Sequence, residues 1–228
     1  MRIFIPFRDA GDRRPLLDLV LREMGEATVV DSTGPEFSLA QARNAAVAMV
    51  DDPDEPIAVL DADTMVTWAG LRAAELELLA DPLAGVQTPY TEYRAISYAD
   101  TARAAQFTIG RPYTDDVDTM AGLDHVRVGV AVSGCYVTTP RVWWLLGGQD
   151  ERMVGWGPED YAMLAAHRAV FGRPFRRHPG TAYALAHERK DYDVTTDPRY
   201  RQNVQYYGEW QNAEAGGVRA VMKLAHGR

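Results

Sequence analysis

Apolar residues in this chain come in short runs that alternate with segments of helical periodicity, most clearly over the first third of the sequence. Runs rich in β-branched and aliphatic residues predict four strands, at residues 2–6, 27–30, 56–60 and 85–88. Apolar positions that recur on one helix face predict helices between them, at residues 15–24, 38–50 and 67–80. This strand–helix alternation predicts an α/β fold with a mostly parallel sheet flanked by helices.

Residues that start or stop helices support these boundaries. Pro15 lies in the first predicted turn of the first helix, and Gly25 follows its last turn. Ser38 and Gln41 have the spacing of a capping box at the start of the second helix. The strand at 56–60 is apolar throughout, as expected for a strand that is covered on both faces.

The regular pattern fails between residues 89 and 124, a stretch that contains several tyrosines and an acidic run. A segment of this length without periodicity predicts an irregular loop, either functional or disordered. Regularity returns with a strand pattern at 126–138, a short helix after Pro140 and a helix at 158–171.

The composition is that of an ordinary globular domain. The chain has 228 residues, of which 46% are hydrophobic and 25% charged, with a formal net charge of −8. No apolar run approaches the ~20 residues that span a bilayer, the N-terminus turns polar too early for a signal peptide, and a single cysteine excludes an intrachain disulfide. These features predict a cytoplasmic protein without a membrane span, and the acidic charge argues against extended nucleic-acid binding.

Two familiar nucleotide-binding motifs are missing from the sequence. No GxGxxG follows the first strand, and no GxxxxGK followed by Ser or Thr occurs along the chain. A dinucleotide-dependent dehydrogenase and a P-loop enzyme are therefore disfavoured. Ligands of open α/β sheets bind at the carboxyl ends of the strands, so the residues that follow the predicted strands are the first candidates for a site.

Asp61 and Asp63 directly follow the buried-type strand at 56–60. Carboxylate oxygens suit Mg²⁺ and Mn²⁺, and two carboxylates one residue apart can bind a cation together with the diphosphate or ribose beside it. Asp-x-Asp recurs in this aspartate-rich chain, but only this pair directly follows a strand of the buried type. The position favours a site, and a solvated turn is the alternative.

Pro6, Phe7 and Arg8 form the end of the first predicted strand. An arginine at this place can bind a phosphate or a base, and a phenylalanine ring can offer its face. An ordinary exit from strand to loop is the simpler interpretation when this segment is considered alone.

Trp156 lies between two glycines just before the predicted helix at 158–171. An indole in a glycine frame is suited to stacking on a sugar. Glu159 and Asp160 fall in the first turn of the helix, where the helix dipole stabilises an anion that can act as a general base. Capping of the helix is the alternative role for the carboxylates, but it does not explain the Gly-Trp-Gly.

The last predicted elements are a strand at 181–186 and a C-terminal helix that begins at Asp197. His187 directly follows the strand. A neutral imidazole at a strand end can bind a metal ion, whereas a lone histidine is more often structural or exposed.

In combination and in this order, these motifs resemble the GT-A class of nucleotide-sugar glycosyltransferases. The resemblance is nearest to the β-1,4-galactosyltransferase group and the related polypeptide N-acetylgalactosaminyltransferases, in a minimal bacterial or phage-type form. It covers about residues 2–189, and it includes Arg43 within an Ala-Arg-Asn segment that falls where such enzymes carry a helix beside the nucleotide. It implies a three-layer, Rossmann-like GT-A fold in a single domain.

The resemblance also implies a division of the chain. The catalytic domain would span 1–190, followed by a C-terminal helical tail at 191–228. Its parts would be a nucleotide-binding half at 1–88, an irregular acceptor-side loop at 89–124 and a donor-sugar and acceptor half at 125–190.

The implied reaction is an inverting transfer of a hexose from a UDP-sugar to an acceptor hydroxyl. By resemblance, Asp160 would deprotonate the acceptor with support from Glu159. Trp156 would stack on a sugar, and Ser133 and Gly134 would lie along the donor sugar.

The implied cofactor is Mn²⁺ or Mg²⁺. Asp63 and His187 would bind it together with the donor diphosphate, and Asp61 would contact the metal or the ribose. The residues implied for the uridine end of the donor are Pro6, Phe7, Arg8 and Arg43.

The sequence departs from the family pattern beside the implied base. Pro158 replaces the usual second glycine of the motif, and Tyr161 stands where galactosyltransferases carry a further aspartate. The acceptor is therefore expected to differ from theirs, and a glycan, a protein and a small molecule all remain open.

Two other functions compete with this interpretation. A nucleotidyltransferase that makes NDP-sugars also uses an α/β sheet and paired aspartates, but the loop after the first strand here has one glycine and no lysine. A catalytically inactive binding module for nucleotide-sugars is the other alternative. The presence of Asp61, Asp63, Asp160 and His187 argues against such decay.

Overall fold

A computed structural model of the chain describes residues 1–9, 13–104, 123–129, 131–187 and 196–227. The strands, in chain order, are β1 (Arg2–Pro6), β2 (Thr28–Val30), β3 (Ile57–Leu60), β4 (Thr64–Val66), β5 (Gln87–Thr88), β6 (Glu92–Ile96), β7 (Leu123–Val128), β8 (Cys135–Thr138), β9 (Arg176–Arg177) and β10 (Thr181–Ala184). The helices of the described residues are α1 (Arg14–Met24), α2 (Leu39–Ala48), α3 (Trp68–Ala80), α4 (Tyr98–Ala104), α5 (Pro140–Leu145), α6 (Glu159–Phe171), α7 (Pro198–Ala215) and α8 (Val218–His226).

The main sheet has six strands in the order β2-β1-β3-β8-β5-β9. β1 pairs in parallel with β2 and β3, and β5 pairs in parallel with β9, whereas β8 runs antiparallel to both of its neighbours. All strands except β8 therefore run in one direction, which confirms the predicted mostly parallel sheet. The carboxyl ends of β1 and β3 lie at the same edge, so Phe7 and Asp61 leave the sheet side by side.

The sheet is covered on both faces, and the alternation along its strands shows why. Ile3, Ile5 and Leu60 belong to a core cluster that also contains residues of α1 and α3. Phe4 and Val59, their immediate neighbours in the chain, belong to a second cluster with residues of α2, α5, α6, α7 and α8. Successive strand residues point to opposite faces, so the central sheet lies between two helical layers, as predicted.

A second sheet has the order β4-β10-β6-β7. β10 pairs antiparallel with β4, with Ala184 opposite Thr64, and the amide of Leu185 donates to the carbonyl of Asp63 at 2.8 Å. The end of β10 therefore lies beside the residues that follow β3. This pairing brings His187 to the edge where Asp63 lies.

Three expectations from the sequence are wrong in part. The strand predicted at 126–138 is two strands, β7 and β8, which belong to different sheets because the chain turns through Gly134, with a φ of 95°, just before β8. The stretch 89–124 is not irregular throughout, since β6 and α4 lie within it; its residues 105–122 fall outside the described part of the chain. The C-terminal helices are more than a tail, because they contribute Trp210, Ala213 and Val221 to the core.

The described residues include no helix that is both long enough and apolar enough to cross a membrane.

A close backbone contact holds the start of α3 against the start of β10. A Cβ atom added to Gly70 would lie 1.8 Å from the carbonyl oxygen of Pro89, and one added to Gly180 would lie 2.6 Å from the same atom. Only glycine allows the three segments to approach this closely, because any side chain would overlap backbone atoms.

We predict that Gly70→Ala lowers the free energy of unfolding by about 3 kcal/mol, since backbone atoms have to move to accommodate the methyl group. Gly208→Ala is the matched control, because a Cβ atom at that position in α7 meets no atom within 4 Å. The control is expected to be neutral or stabilised by up to about 1 kcal/mol, from its helix propensity. Urea denaturation measures both, and equal effects of the two substitutions would contradict the described packing.

Candidate active site

The side chain of Arg43 lies at the centre of the site and is almost fully buried, with 1% of it exposed. Its Nη2 donates to Oδ1 of Asp61 at 2.6 Å, and its Nη1 donates to Oδ1 of Asp160 at 2.6 Å. Nη1 also donates to Oε1 of Gln149 at 3.1 Å. One guanidinium therefore joins the carboxylate at the end of β3 to the carboxylate in the first turn of α6, which are distant in the sequence.

The electrostatic balance around Arg43 keeps it charged. Burial alone would lower the pKa of Arg43, but the charges of Asp61 and Asp160 outweigh this and raise its pKa well above the usual value. Burial raises the pKa of Asp61, and Arg43 opposes this change. A buried ion pair is tolerated only when each partner finds the other with good geometry, and the two contacts at 2.6 Å meet that condition.

Helix α2 positions Arg43 and anchors the loop before α6. The hydroxyl of Ser38 accepts a hydrogen bond from the amide of Gln41 at 3.2 Å, which confirms half of the predicted capping box. Asn44, next to Arg43, accepts from the indole of Trp143 and from the amide of Gln149, each at 2.9 Å, and donates to the carbonyl of Gln149 at 2.9 Å. These bonds fix the Gln149 backbone, so its side chain reaches Arg43.

Asp160 is held by three donors that all bind the same oxygen. Oδ1 accepts from Arg43, from the hydroxyl of Tyr136 and, at 3.5 Å, from Nε2 of Gln149. Burial, followed by the charge of Asp160, raises the pKa of Tyr136 well above its usual value, so the phenol keeps its proton and donates it in the hydrogen bond. The side chain of Asp160 is 14% exposed, and the three hydrogen bonds to Oδ1 fix the orientation of its carboxylate.

Glu159, the residue before Asp160, lies in an environment that disfavours a charge. It is buried, with 6% exposed, and its Oε2 has no hydrogen-bond partner among the described residues. Burial, and then the charge of Asp160, raises the pKa of Glu159 to about 8. The expectation that the helix dipole keeps both first-turn carboxylates ionised is therefore wrong for Glu159, because the loss of solvation outweighs the dipole.

Asp63 and His187 meet at the sheet edge together with Arg13. Oδ2 of Asp63 lies 2.9 Å from Nε2 of His187 and 2.6 Å from Nη2 of Arg13. Burial alone would raise the pKa of Asp63, but the hydrogen bond from His187 and the charge of Arg13 outweigh it and lower the pKa. Asp63 is therefore an anion at neutral pH.

The expected set of three metal ligands is not gathered into one group. Among the described residues, no cluster of three or more His, Cys, Asp or Glu side chains is arranged to hold a metal ion. Asp61, the third expected ligand, pairs with Arg43 instead. The separation of 2.9 Å between Asp63 Oδ2 and His187 Nε2 nevertheless fits two adjacent ligands of one cation, because ~2.1 Å bonds at right angles place ligand atoms ~3.0 Å apart.

Contacts within the protein fix the residues that were expected to contact uridine. Pro6 ends β1, and Phe7 belongs to the core, with 7% exposed. The guanidinium of Arg8 donates to Asp31 at 2.9 Å and to the carbonyls of Ser32 and Gly34. Arg8 therefore shapes the loop after β2, beside the carboxyl end of β1.

Gly134 lies against Asp61, and Ser133 precedes it in the same turn. The carbonyl of Gly134 accepts from the amide of Asp61 at 2.9 Å. The carbonyl of Ser133 accepts from the hydroxyl of Tyr90. Gly134 has a φ of 95°, and a Cβ atom there would meet the side chain of Thr64 at 3.2 Å, so glycine suits this turn.

Trp156 is half exposed and stacks on a residue of the C-terminal helix. Its ring lies 4.9 Å from that of Tyr200, at an interplanar angle of 18°. Nδ2 of Asn203 donates to the carbonyls of Val154 and Trp156, each at 3.0 Å. Helix α7 therefore fixes the loop that carries the indole. Tyr161, also exposed, faces α7 as well.

Sequence reasoning missed five contributors to the site, namely Arg13, Tyr90, Tyr136, Gln149 and Tyr200. Each acts through a partner more than forty residues away or lies in a segment without a known motif. Gln149 offered the one local signal, because it directly follows a pair of glycines that lets the chain approach α2. A Cβ atom at Gly148 would lie 2.7 Å from Oδ1 of Asn44.

Comparison with known proteins identifies the fold. No protein-family profile matches the chain, and no curated protein matches it. The structure of GalNAc-T7 with UDP, GalNAc and Mn²⁺ is similar at a TM-score of 0.54 and 12% identity, over 97% of this chain and 53% of that one. Drosophila β-1,4-galactosyltransferase 7, crystallised as a mutant with manganese, UDP-Gal and xylobiose, gives a TM-score of 0.49 and 16% identity, over 90% of this chain and 78% of that one. By its likeness to GalNAc-T7, this chain has the GT-A fold of nucleotide-sugar glycosyltransferases.

Proposed function

We propose that this chain is an inverting, metal-dependent glycosyltransferase that transfers a hexose from a UDP-sugar to an acceptor hydroxyl. The strongest support is the pair of salt bridges that Arg43 forms with Asp61 and Asp160, each at 2.6 Å. They join the two acidic motifs of the sequence in one largely buried site at the carboxyl edge of the sheet. The fold agrees with this proposal, and the similar GalNAc-T7 structure contains UDP, GalNAc and Mn²⁺.

In the proposed reaction Asp160 is the general base. It accepts the proton of the acceptor hydroxyl as that oxygen attacks the anomeric carbon of the donor, and the bond from this carbon to the UDP oxygen breaks on the opposite side. Because Arg43, Tyr136 and Gln149 all bind Oδ1, Oδ2 is the oxygen that would receive the proton. Arg43 then acts as a positioning residue for the base rather than as a contact to uracil.

Glu159 would support the base by remaining neutral. A pKa of about 8 keeps it mostly protonated at neutral pH, so no second negative charge builds up beside Asp160. An ionised Glu159 would repel the electron-rich acceptor oxygen, since both groups would share a site with little solvent.

Asp63 and His187 are the proposed protein ligands of Mn²⁺ or Mg²⁺. When bound, such a cation would offset the charge that develops on the departing UDP. Asp63 is ionised, and His187 presents Nε2 toward the same point, 2.9 Å from the carboxylate oxygen. The remaining ligand positions would be open to the donor diphosphate and water.

The donor and acceptor would occupy opposite sides of Asp160. Gly134, which contacts Asp61, and Ser133 before it would border the donor sugar, and the loop held by Arg8 would border the uridine. The stacked pair of Trp156 and Tyr200 offers an aromatic surface for a sugar ring. A glycan, a protein or a small molecule could present the acceptor hydroxyl there.

We predict that Asp160→Asn lowers UDP release from UDP-sugars by about 10³-fold, because the amide cannot accept the proton. The assay is a panel of UDP-sugars with Mn²⁺, with and without acceptors, measured as UDP formed. Asp18→Asn is the control, since Asp18 pairs with Arg14 on an exposed helix face and its side chain is 57% exposed. Undiminished turnover by Asp160→Asn would exclude Asp160 as the base.

We predict that UDP with Mn²⁺ raises the melting temperature of the protein and that Asp63→Ala abolishes this rise, because the cation loses its only anionic protein ligand in the proposed set. Asp18→Ala is expected to keep the full shift. A shift without any sugar release would favour the binding module, and pyrophosphate formed from UTP and a sugar phosphate would favour the nucleotidyltransferase.

We predict that the stability of the protein relative to Glu159→Gln falls as pH rises from about 4.5 to about 8. The pKa of Glu159 is raised above its ordinary value of 4.5, so the unfolded chain loses this proton first and ionisation favours unfolding across that range. The difference in unfolding free energy should fall by about 5 kcal/mol, because each pH unit between the two pKa values contributes about 1.4 kcal/mol, and it should level off above about pH 9. Urea denaturation at several pH values measures it, and parallel curves for the two proteins would contradict the described burial.

A further inference from the structure

Three atoms converge at the proposed metal site. Nη2 of Arg13 lies 2.6 Å from Oδ2 of Asp63 and 3.1 Å from Nε2 of His187, and Oδ2 and Nε2 lie 2.9 Å apart. Each atom is therefore within hydrogen-bond distance of both of the others. The triangle is formed by one group that can only donate, one that can only accept as an anion, and one whose role depends on its proton.

No placement of hydrogens satisfies all three contacts at once. If Nε2 of His187 carries a hydrogen, it donates to Asp63 but faces the N–H groups of Arg13 at 3.1 Å, so two donors meet. If Nε2 lacks the hydrogen, it accepts from Arg13 but faces the carboxylate oxygen at 2.9 Å, so two lone pairs meet. One side of the triangle is unfavourable in either state.

A divalent cation in the place of the guanidinium nitrogen removes this conflict. Both Oδ2 of Asp63 and Nε2 of His187 could then direct a lone pair at one positive centre. Their separation of 2.9 Å is close to the ~3.0 Å expected for adjacent ligands with ~2.1 Å bonds. Arg13 thus makes the two contacts that a bound divalent cation would make, but its N–H groups cannot satisfy both of them.

Arg13 is also able to leave, in contrast to Arg43. Its side chain is 37% exposed, it lies directly before the first residue of α1, and its Nε has no hydrogen-bond partner among the described residues. Arg43, with 1% exposed, is bound to two carboxylates and cannot move without leaving both unpaired. Of these two cations of the site, Arg13 is the replaceable one.

We propose that Arg13 is a built-in competitor for the divalent cation. Its guanidinium occupies the position between Asp63 and His187, so it has to leave before a cation binds there. This inference rests on the proposed function, because it takes Asp63 and His187 as the metal ligands. It adds that the protein neutralises its own metal site and thereby weakens the binding of free metal.

The test is a titration with Mn²⁺ alone, without nucleotide, in which free Mn²⁺ is measured by electron paramagnetic resonance. Arg13→Ala is expected to bind Mn²⁺ about tenfold more tightly than the natural chain, because no guanidinium has to be displaced. Arg14→Ala is the matched control: it removes the same charge one residue away, where Arg14 pairs with Asp18 at 2.8 Å on the surface. It should change the affinity less than about twofold, since exposed charges are screened.

Two further variants keep the outcome decisive. Asp63→Ala should abolish Mn²⁺ binding in the natural chain and in Arg13→Ala, which locates the bound ion. Arg13→Gln should tighten binding in the same direction as Arg13→Ala and serves if the alanine variant folds poorly. Circular dichroism checks that each variant is folded.

The failure of this inference and the failure of the proposed function give different results. If the natural chain and Arg13→Ala bind Mn²⁺ equally, Arg13 does not compete with the metal. If Asp63→Ala also abolishes binding in both proteins, the proposed metal site is still supported. If Arg13→Ala binds no Mn²⁺, both the competitor and the proposed metal site are overturned. Tighter Mn²⁺ binding by Arg13→Ala in a protein that turns over no UDP-sugar would support the competitor and count against the transferase.

Discussion

The buried guanidinium of Arg43 is the interaction on which the site depends. Removing a charge from water is expensive, and this one is tolerated because two carboxylates, from Asp61 and Asp160, approach it to 2.6 Å. Arg43 thereby fixes the distance between the end of β3 and the first turn of α6. Burial, and then the balance of charges around Arg43, also explain the state of Glu159. One guanidinium cannot balance three nearby carboxylates, and the most buried of them becomes neutral, with a pKa of about 8.

The second constraint is the pairing of β4 with β10. It joins the segment after β3 to a strand more than one hundred residues later, and it places His187 beside Asp63. The close approach of Gly70 and Gly180 to Pro89 stabilises the same junction, because it holds the start of β10 against α3. The metal-side residues are therefore positioned by backbone packing some distance away, and the base-side residues by ion pairs within the site.

Local signals in the sequence predict much of the fold but few of the hydrogen bonds and ion pairs that connect the site residues. β1, β3, α2 and α6 were all predictable, because strand hydrophobicity, a capping serine and a terminal glycine act over a few residues. β4 and β9 were not, since β9 consists of two arginines with no apolar run, and β4 follows β3 after only three residues, so that no separate run marks it. The motifs at Asp61, Asp160 and His187 were visible, whereas their connections through Arg43 and Arg13 were not, because both arginines act across the fold on partners that no spacing rule links to them.

The double use of α7 has a consequence for how this protein can diversify. On one side the helix contributes Trp210 to the core, where the indole donates to Asp150 at 3.0 Å. On another side it carries Tyr200, which stacks on Trp156, and Asn203, which binds the backbone of the loop that contains Trp156. Substitutions that enter the core or the loop contacts risk the fold itself. Divergence of molecular recognition along this helix is therefore confined to its outward positions, such as Val204, where side chains can change while the scaffold is preserved.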